Sequence, residues 1–155
     1  MTHYETKFGA QKVRQIIPQM KQVGTELGIN FSYGGSIGNT LQSHRFIWKA
    51  RELGGSDLQD AMVESLFKAY FEEEKSLGEV GVLRECAVRA GMQTDAVERL
   101  LDSVEGTEDV KREEEEYRSK WNCRGVPLFV IDGKFSLSGA QPVEAFLDAF
   151  QELDE

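Results

Sequence analysis

Two cysteines, two histidines and one Gly-Val-Pro turn are the residues of this 155-residue chain that invite a chemical reading. Thiol redox chemistry in a single site needs a pair of close cysteines, typically Cys-x-x-Cys, with one thiolate stabilised by its surroundings. Cys86 and Cys123 are far apart in sequence and form no such pair. A zinc site needs about four ligands at short spacings, and neither His3 nor His44 neighbours a cysteine. Gly125-Val126-Pro127 is different, because it stands between a helical pattern and an apolar strand pattern. A proline removes a ladder donor, so it is tolerated only at the start of such a strand. A trans proline opening the strand is one reading. The other is a cis peptide that turns the Val126 backbone outward, leaving its N–H and C=O free to pair with an extended peptide or a thiol tripeptide.

Two further groups could bind a ligand. Gly139, Ala140 and Gln141 precede a helical pattern, and the free N–H groups at a helix start can hold a carboxylate. His44 lies three residues after Leu41 and four before Trp48, on the expected inward side of its helix, as a hydrogen-bonded core or interface histidine.

The elements that must position these residues are mostly helical. Val13, Ile16, Ile17, Met20, Val23 and Leu27 recur at helical spacing over about residues 10–27, with Pro18 expected to kink the helix or open its second half. Gly28 stops it, and Ile29 to Tyr33 reads as extended up to Gly34-Gly35. Asn39 with Gln42 has the form of a capping box for a helix ending at Gly54-Gly55. Ser56 with Gln59 repeats that signal before a wide apolar stripe reaching about Glu74. A helix around Val80–Ala90 ends at Gly91, and Thr94 and Thr107 are expected to cap two more. The last of these buries Val110, Tyr117 and Trp121 and ends at Asn122 in the left-handed conformation. Then the pattern changes: Leu128–Ile131 and Lys134–Leu137 flank Asp132-Gly133, a strong hairpin signal. The first of these strands is continuously apolar, so both its faces are expected to be buried. A final helix starts near Pro142.

Composition narrows the partners. The net charge of −9 argues against nucleic acid, which demands a basic face, and against anionic membrane surfaces. The acid-rich stretch from Glu105 to Arg118 reads as a solvated helix face, and no Asp-rich calcium loop occurs. No apolar run approaches the roughly 18 residues of a membrane span, and the first twenty residues lack a signal peptide's apolar core. The expected compartment is therefore cytoplasmic, where a disulfide between Cys86 and Cys123 is disfavoured.

The run from Gly125 through Lys134-Phe135, followed by Ser138-Gly139-Ala140-Gln141-Pro142 and a helix, closely resembles the closing ββα unit of DsbA-family proteins. Lys7-Phe8-Gly9, Ile29-Asn30-Phe31, Asn39-Thr40 with His44-Arg45, and Leu66-Phe67-Lys68-Ala69-Tyr70-Phe71 resemble the same family's inserted helical domain. The nearest branch holds the polyketide-biosynthesis-type DsbA-like oxidoreductases and the 2-hydroxychromene-2-carboxylate isomerases. The resemblance covers nearly the whole chain. It implies a mainly helical α/β fold: a single DsbA-like domain over 1–155, with a helical insert at about 8–122 and a partial thioredoxin ββα unit at about 123–155. It also implies a cis Val126–Pro127 peptide. Val126, Pro127, Gly125, Asn39, His44, Gly139, Ala140 and Gln141 become substrate-binding candidates, and His44 would face the cleft between insert and thioredoxin unit.

One departure matters. Before Lys7 there is no strand followed by Cys-x-x-Cys, so the resemblance supplies no catalytic residue. Cys123, where the family shows an apolar residue, and Cys86 both read as buried, inert hydrophobes. The apolar first strand would lack its usual parallel neighbour, leaving an edge to be covered by a missing N-terminal segment, a partner or a second copy. Three functions remain open: a thiol–disulfide oxidoreductase whose peptide-docking side lies here, a glutathione-dependent isomerase or transferase with glutathione as co-substrate, and a non-catalytic peptide- or partner-binding relative. None needs a bound cofactor or metal, and the partner in each is a peptide or thiol.

Overall fold

The structure, a computed structural model, describes residues 9–123 and 125–153. The motif around Lys7-Phe8 lies outside them. In chain order the elements are α1 (Ala10–Glu26), α2 (Leu41–Phe71), α3 (Val80–Ala90), α4 (Thr94–Leu101), α5 (Thr107–Lys120), β1 (Leu128–Ile131), β2 (Phe135–Ser138) and α6 (Val143–Gln151). The chain divides into two compact units between Val110 and Lys111, inside α5.

The first unit is all helix. Helix α2 is two helices end to end, since the backbone leaves helical geometry at Gly54 and Gly55, where φ reaches +66°. Glycine meets that conformation without the clash a Cβ would bring. The two halves fold on α3 and α4, and Phe46, Ala50, Met62, Leu66, Leu83, Cys86, Ala87, Val97 and Leu100 form one buried cluster. Arg45 is buried with them. Its Nε donates to Glu105 O at 2.7 Å, Nη2 donates to Leu100 O and Ser103 O at 2.8 Å each, and Nη1 donates to the Gln42 side chain. Burial lowers the guanidinium's pKa, against the raising effect of Glu105. It remains charged in any accessible pH range and donates to three carbonyls, of which Leu100 O also accepts from the Ser103 hydroxyl at 3.2 Å. Next to them Gly106, at φ +75°, lies so near the Trp48 ring that a Cβ would come within 2.5 Å of it.

The segment from Ile29 to Tyr33 is lashed to the end of α2 without forming a ladder. Ser32 N–H donates to Phe71 O at 2.7 Å, Asn30 N–H to the Glu72 carboxylate at 3.1 Å, and Gly34 N–H to Glu74 Oε1 at 2.9 Å. The Ser32 hydroxyl also donates to Glu74, whose own backbone is left-handed at φ +56°. The Ser32 hydroxyl and then the Gly34 N–H hold the Glu74 carboxyl below its ordinary pKa.

The second unit holds the hairpin. β1 and β2 pair antiparallel in the register Leu128↔Ser138, Phe129↔Leu137, Val130↔Ser136 and Ile131↔Phe135. Asp132 and Gly133 both take positive φ in the turn, at 50° and 65°. Ile131 pairs with Phe135, so Lys134 belongs to the loop and its N–H donates to Ile131 O at 3.0 Å. Alternation sends Phe129 and Ile131, with their partners Leu137 and Phe135, to one face and Leu128 and Val130 to the other. Helix α6 covers the first face, where the Phe146 and Phe129 rings meet edge-on at 4.9 Å.

Several local expectations are corrected. Thr40 is the residue that precedes α2, Asn39 Oδ1 instead accepts from Leu41 N–H at 2.8 Å, and Gln42 serves Arg45, so no capping box forms. Gln93 precedes α4 with no side-chain cap. No residue of α5 is buried, and Tyr117 is half exposed. β1 is half buried rather than buried on both faces, with Phe129 still 38 % exposed.

Candidate functional site

The Val126–Pro127 peptide is cis, and Val126 is 88 % exposed. Pro127 O accepts the Gly139 N–H at 2.8 Å, which joins the head of β1 to the end of β2. Neither the N–H nor the C=O of Val126 has a hydrogen-bond partner among the described residues. In front of this backbone lies an open groove of about 760 Å³, lined by Glu114, Tyr117 and Arg118 of α5, then Cys123, Gly125, Val126, Leu128 and Val130. Glu114, Tyr117 and Arg118 share one helix face by their spacing, and the Arg118 guanidinium pairs with the Glu114 carboxylate. The wall is thus neutral in charge and partly aromatic, with a strand backbone along its floor.

Cys123 lines the groove and is half buried, not sealed in the core as the family's apolar residue at that place implied. Its thiol donates to Gly125 O at 3.1 Å. The reason for the difference is the chain reversal at Asn122, whose left-handed φ of 47° turns Cys123 out of the helix line. Cys86 behaves as read: it is fully buried, free, and burial pushes its thiol pKa up, only partly offset by Ser65 and Arg89.

The remaining candidates are distributed unevenly. Gly139 joins the site through Pro127, so its N–H is spent and not free for an anion. Gln141 folds back, its Nε2 donating to Ser138 O at 2.7 Å, and Ala140 is exposed beside it. Glu144 stands in the first turn of α6, where its negative charge competes with any anionic ligand of that helix end. In the first unit Asn39 is exposed, its carboxamide committed to Leu41. His44 is exposed and not inward, because Ser43, Arg45, Phe46 and Ala50 take the buried face of α2. Sequence reasoning missed Glu114, Tyr117, Arg118, Leu128 and Val130 as groove residues. The signal was the shared face of the first three, hidden within a run read as solvated.

Residues 3–151 match the sequence model of the DSBA-like thioredoxin domain. This chain belongs to that family. A solved relative is the probable DsbA oxidoreductase from Streptomyces coelicolor, 25 % identical, with a TM-score of 0.82 over 96 % of this chain and 64 % of that one. The chain therefore spans less than two thirds of that relative's length. Curated proteins give no match. As a member of the DSBA-like family, the chain has the expected mainly helical α/β architecture, a helical insert before a thioredoxin ββα unit, and its relationships lie with thiol–disulfide oxidoreductases. Among the described residues of this DSBA-like chain, no cluster of three or more His, Cys, Asp or Glu is placed to hold a metal, and no helix is long and apolar enough to cross a membrane.

Proposed function

We propose that this chain supplies the substrate-docking side of a DsbA-type thiol–disulfide oxidoreductase, with the attacking thiol contributed by a segment or polypeptide other than these residues. The observation that carries the reading is the exposed backbone of Val126 at the head of β1, without a hydrogen-bond partner among the described residues and lining the groove. An extended substrate lays its backbone against that N–H and C=O, and the pairing holds one sulfur of its disulfide in reach. A thiolate from elsewhere then attacks that sulfur, forms a mixed disulfide and releases the second sulfur as thiolate. The groove residues orient and exclude water, and neither cysteine of the chain is the attacking group. Cys86 is buried with a raised pKa, and the Cys123 thiol is engaged as a donor to Gly125 O.

A glutathione-binding role is less supported, because the γ-glutamyl carboxylate would meet Glu144 and lose the Gly139 amide already used by Pro127. Three measurements on the chain separate the readings: insulin reduction, glutathione titration and binding of a short cystine-bridged peptide. The docking reading expects saturable peptide binding without insulin turnover. Saturable glutathione binding with no peptide binding contradicts it, as does insulin turnover by the chain alone.

A further inference from the structure

Between Phe31 and Gly38 the chain of the first unit is pinned at both ends by contacts without charge. At one end a Cβ on Gly24 would come within 2.5 Å of the Phe31 ring, and Ile29 N–H donates to Gly24 O at 2.7 Å. At the other, Gly38 lies on Gly78, where a Cβ would meet the backbone at 2.9 Å. The stretch between the pins is held by one carboxylate. The Ser32 hydroxyl and the Gly34 N–H both donate to Glu74 Oε1. A Cβ on Gly34 would come within 2.6 Å of both carboxylate oxygens, and one on Gly35 within 2.8 Å of Glu74 O, so both glycines serve this close approach. Glu74 is itself held at φ +56°, uncommon for a residue with a side chain. Among the described residues the backbone bond of this stretch is Ser32 N–H to Phe71 O, at its first residue. Beyond it comes Tyr33, which with Met20 and Phe71 lines two apolar hollows beside α1, of about 650 and 280 Å³.

We propose that Ser32–Ile37 is a flap latched by the Glu74 carboxylate: protonation of that carboxylate opens it, while Phe31 and Gly38 stay in place, and carries Tyr33 away from the wall of the two hollows. Hydrogen bonds to a carboxylate are roughly twice as strong as those to a neutral acceptor, so the latch weakens once Glu74 gains a proton. The Ser32 hydroxyl and then the Gly34 N–H hold the Glu74 carboxyl below its ordinary range. The flap is therefore closed at neutral pH and opens as pH falls below about 4.3. The charges around Glu74 do not replace it. Lys21 of α1 adds a smaller pull in the same direction, Glu72 accepts the Asn30 N–H, and Glu73 and Lys75 are paired with Arg89 and Glu85 of α3. Opening stays separate from global unfolding, because no residue of the flap belongs to the buried cluster. The device lies within the first unit and does not rest on the docking reading.

The test is hydrogen exchange on the isotope-labelled 155-residue chain between about pH 7 and about pH 3, with the Glu74 carboxyl titrated in the same samples. Rates are corrected for the intrinsic pH dependence of exchange. The expected result is that the Ser32 and Gly34 amides lose protection at the midpoint of the Glu74 titration, while the amides of Leu83, Val97 and Leu100 keep theirs. Glu74→Gln at neutral pH speeds exchange at Gly34 about tenfold or more, and Ser32→Ala, which removes one of the two donors, does so to a smaller extent. The Glu74→Gln protein also binds an apolar dye at neutral pH with unchanged circular dichroism. Flap amides that lose protection only together with the core amides overturn the proposal. Gly34 protection in Glu74→Gln equal to that of the parent overturns it as well. So does an opening whose midpoint departs from the Glu74 titration.

Discussion

At the scale of single residues, the two cysteines separate cleanly. Cys86 is fully buried with its pKa raised by that burial, and Cys123 is half buried at a groove wall. A thiol reagent at neutral pH is expected to label Cys123 in the native protein and to reach Cys86 only on unfolding, followed by mass spectrometry of peptides. Equal protection of both would contradict the placement of Cys123. Arg45 illustrates a different residue-level role, since one buried guanidinium satisfies the carbonyls of Leu100, Ser103 and Glu105. Arg45→Met removes these donors, leaving Leu100 O with the Ser103 hydroxyl alone and depriving Ser103 O and Glu105 O of the guanidinium, and is expected to cost about 3 kcal/mol in urea unfolding. Both residues were visible in the sequence, but their burial was not. A small thiol reads as core by default, and an arginine reads as surface, until the backbone around each is known.

At the scale of elements, the clamp between the Ile29–Tyr33 segment and the end of α2 makes stability pH-dependent. The Glu74 carboxyl is held below its ordinary value of about 4.3 by the Ser32 hydroxyl and the Gly34 N–H. A group depressed in the folded state contributes stability above its unfolded pKa and loses it as pH falls through the folded one. Urea midpoints should therefore drop as pH falls below about 4.3, and Glu74→Gln should flatten part of that slope. An unchanged slope in the variant would show that Glu73, lowered by Lys75 and Arg89, and Glu98, lowered by Arg84, carry the effect instead. Gly106→Ala forces a Cβ onto the Trp48 ring at positive φ and is expected to cost about 1–3 kcal/mol. The helices and hairpin were legible because apolar periodicity and glycine stops are local signals, as at Gly28, Gly54-Gly55 and Gly91. Caps were less so. Asn39 forms no capping box because the Gln42 amide is claimed by Arg45 from within the same turn, and the helix at Thr94 starts after Gln93 with no side-chain cap.

For the whole molecule, the family match and the 0.82 TM-score fix the ancestry, and the Gly125-Val126-Pro127 turn had already pointed there. The site itself was half legible. Its floor lay in that contiguous motif, whereas its wall comes from Glu114, Tyr117 and Arg118, which sequence alone cannot distinguish from a solvated acidic face. His44 was misread because Leu41 and Trp48 only border the buried stripe of α2. The central claim is that the Val126 backbone docks an extended substrate. It is tested most directly by following the Val126 amide resonance of the labelled chain while a cystine-bridged peptide is titrated. The predicted result is a saturable shift of that amide with slowed hydrogen exchange, matched by Val126 C=O. Saturable binding that leaves Val126 unmoved and shifts only residues of the first unit, such as Phe67 and Phe71 in its apolar hollow, would contradict it.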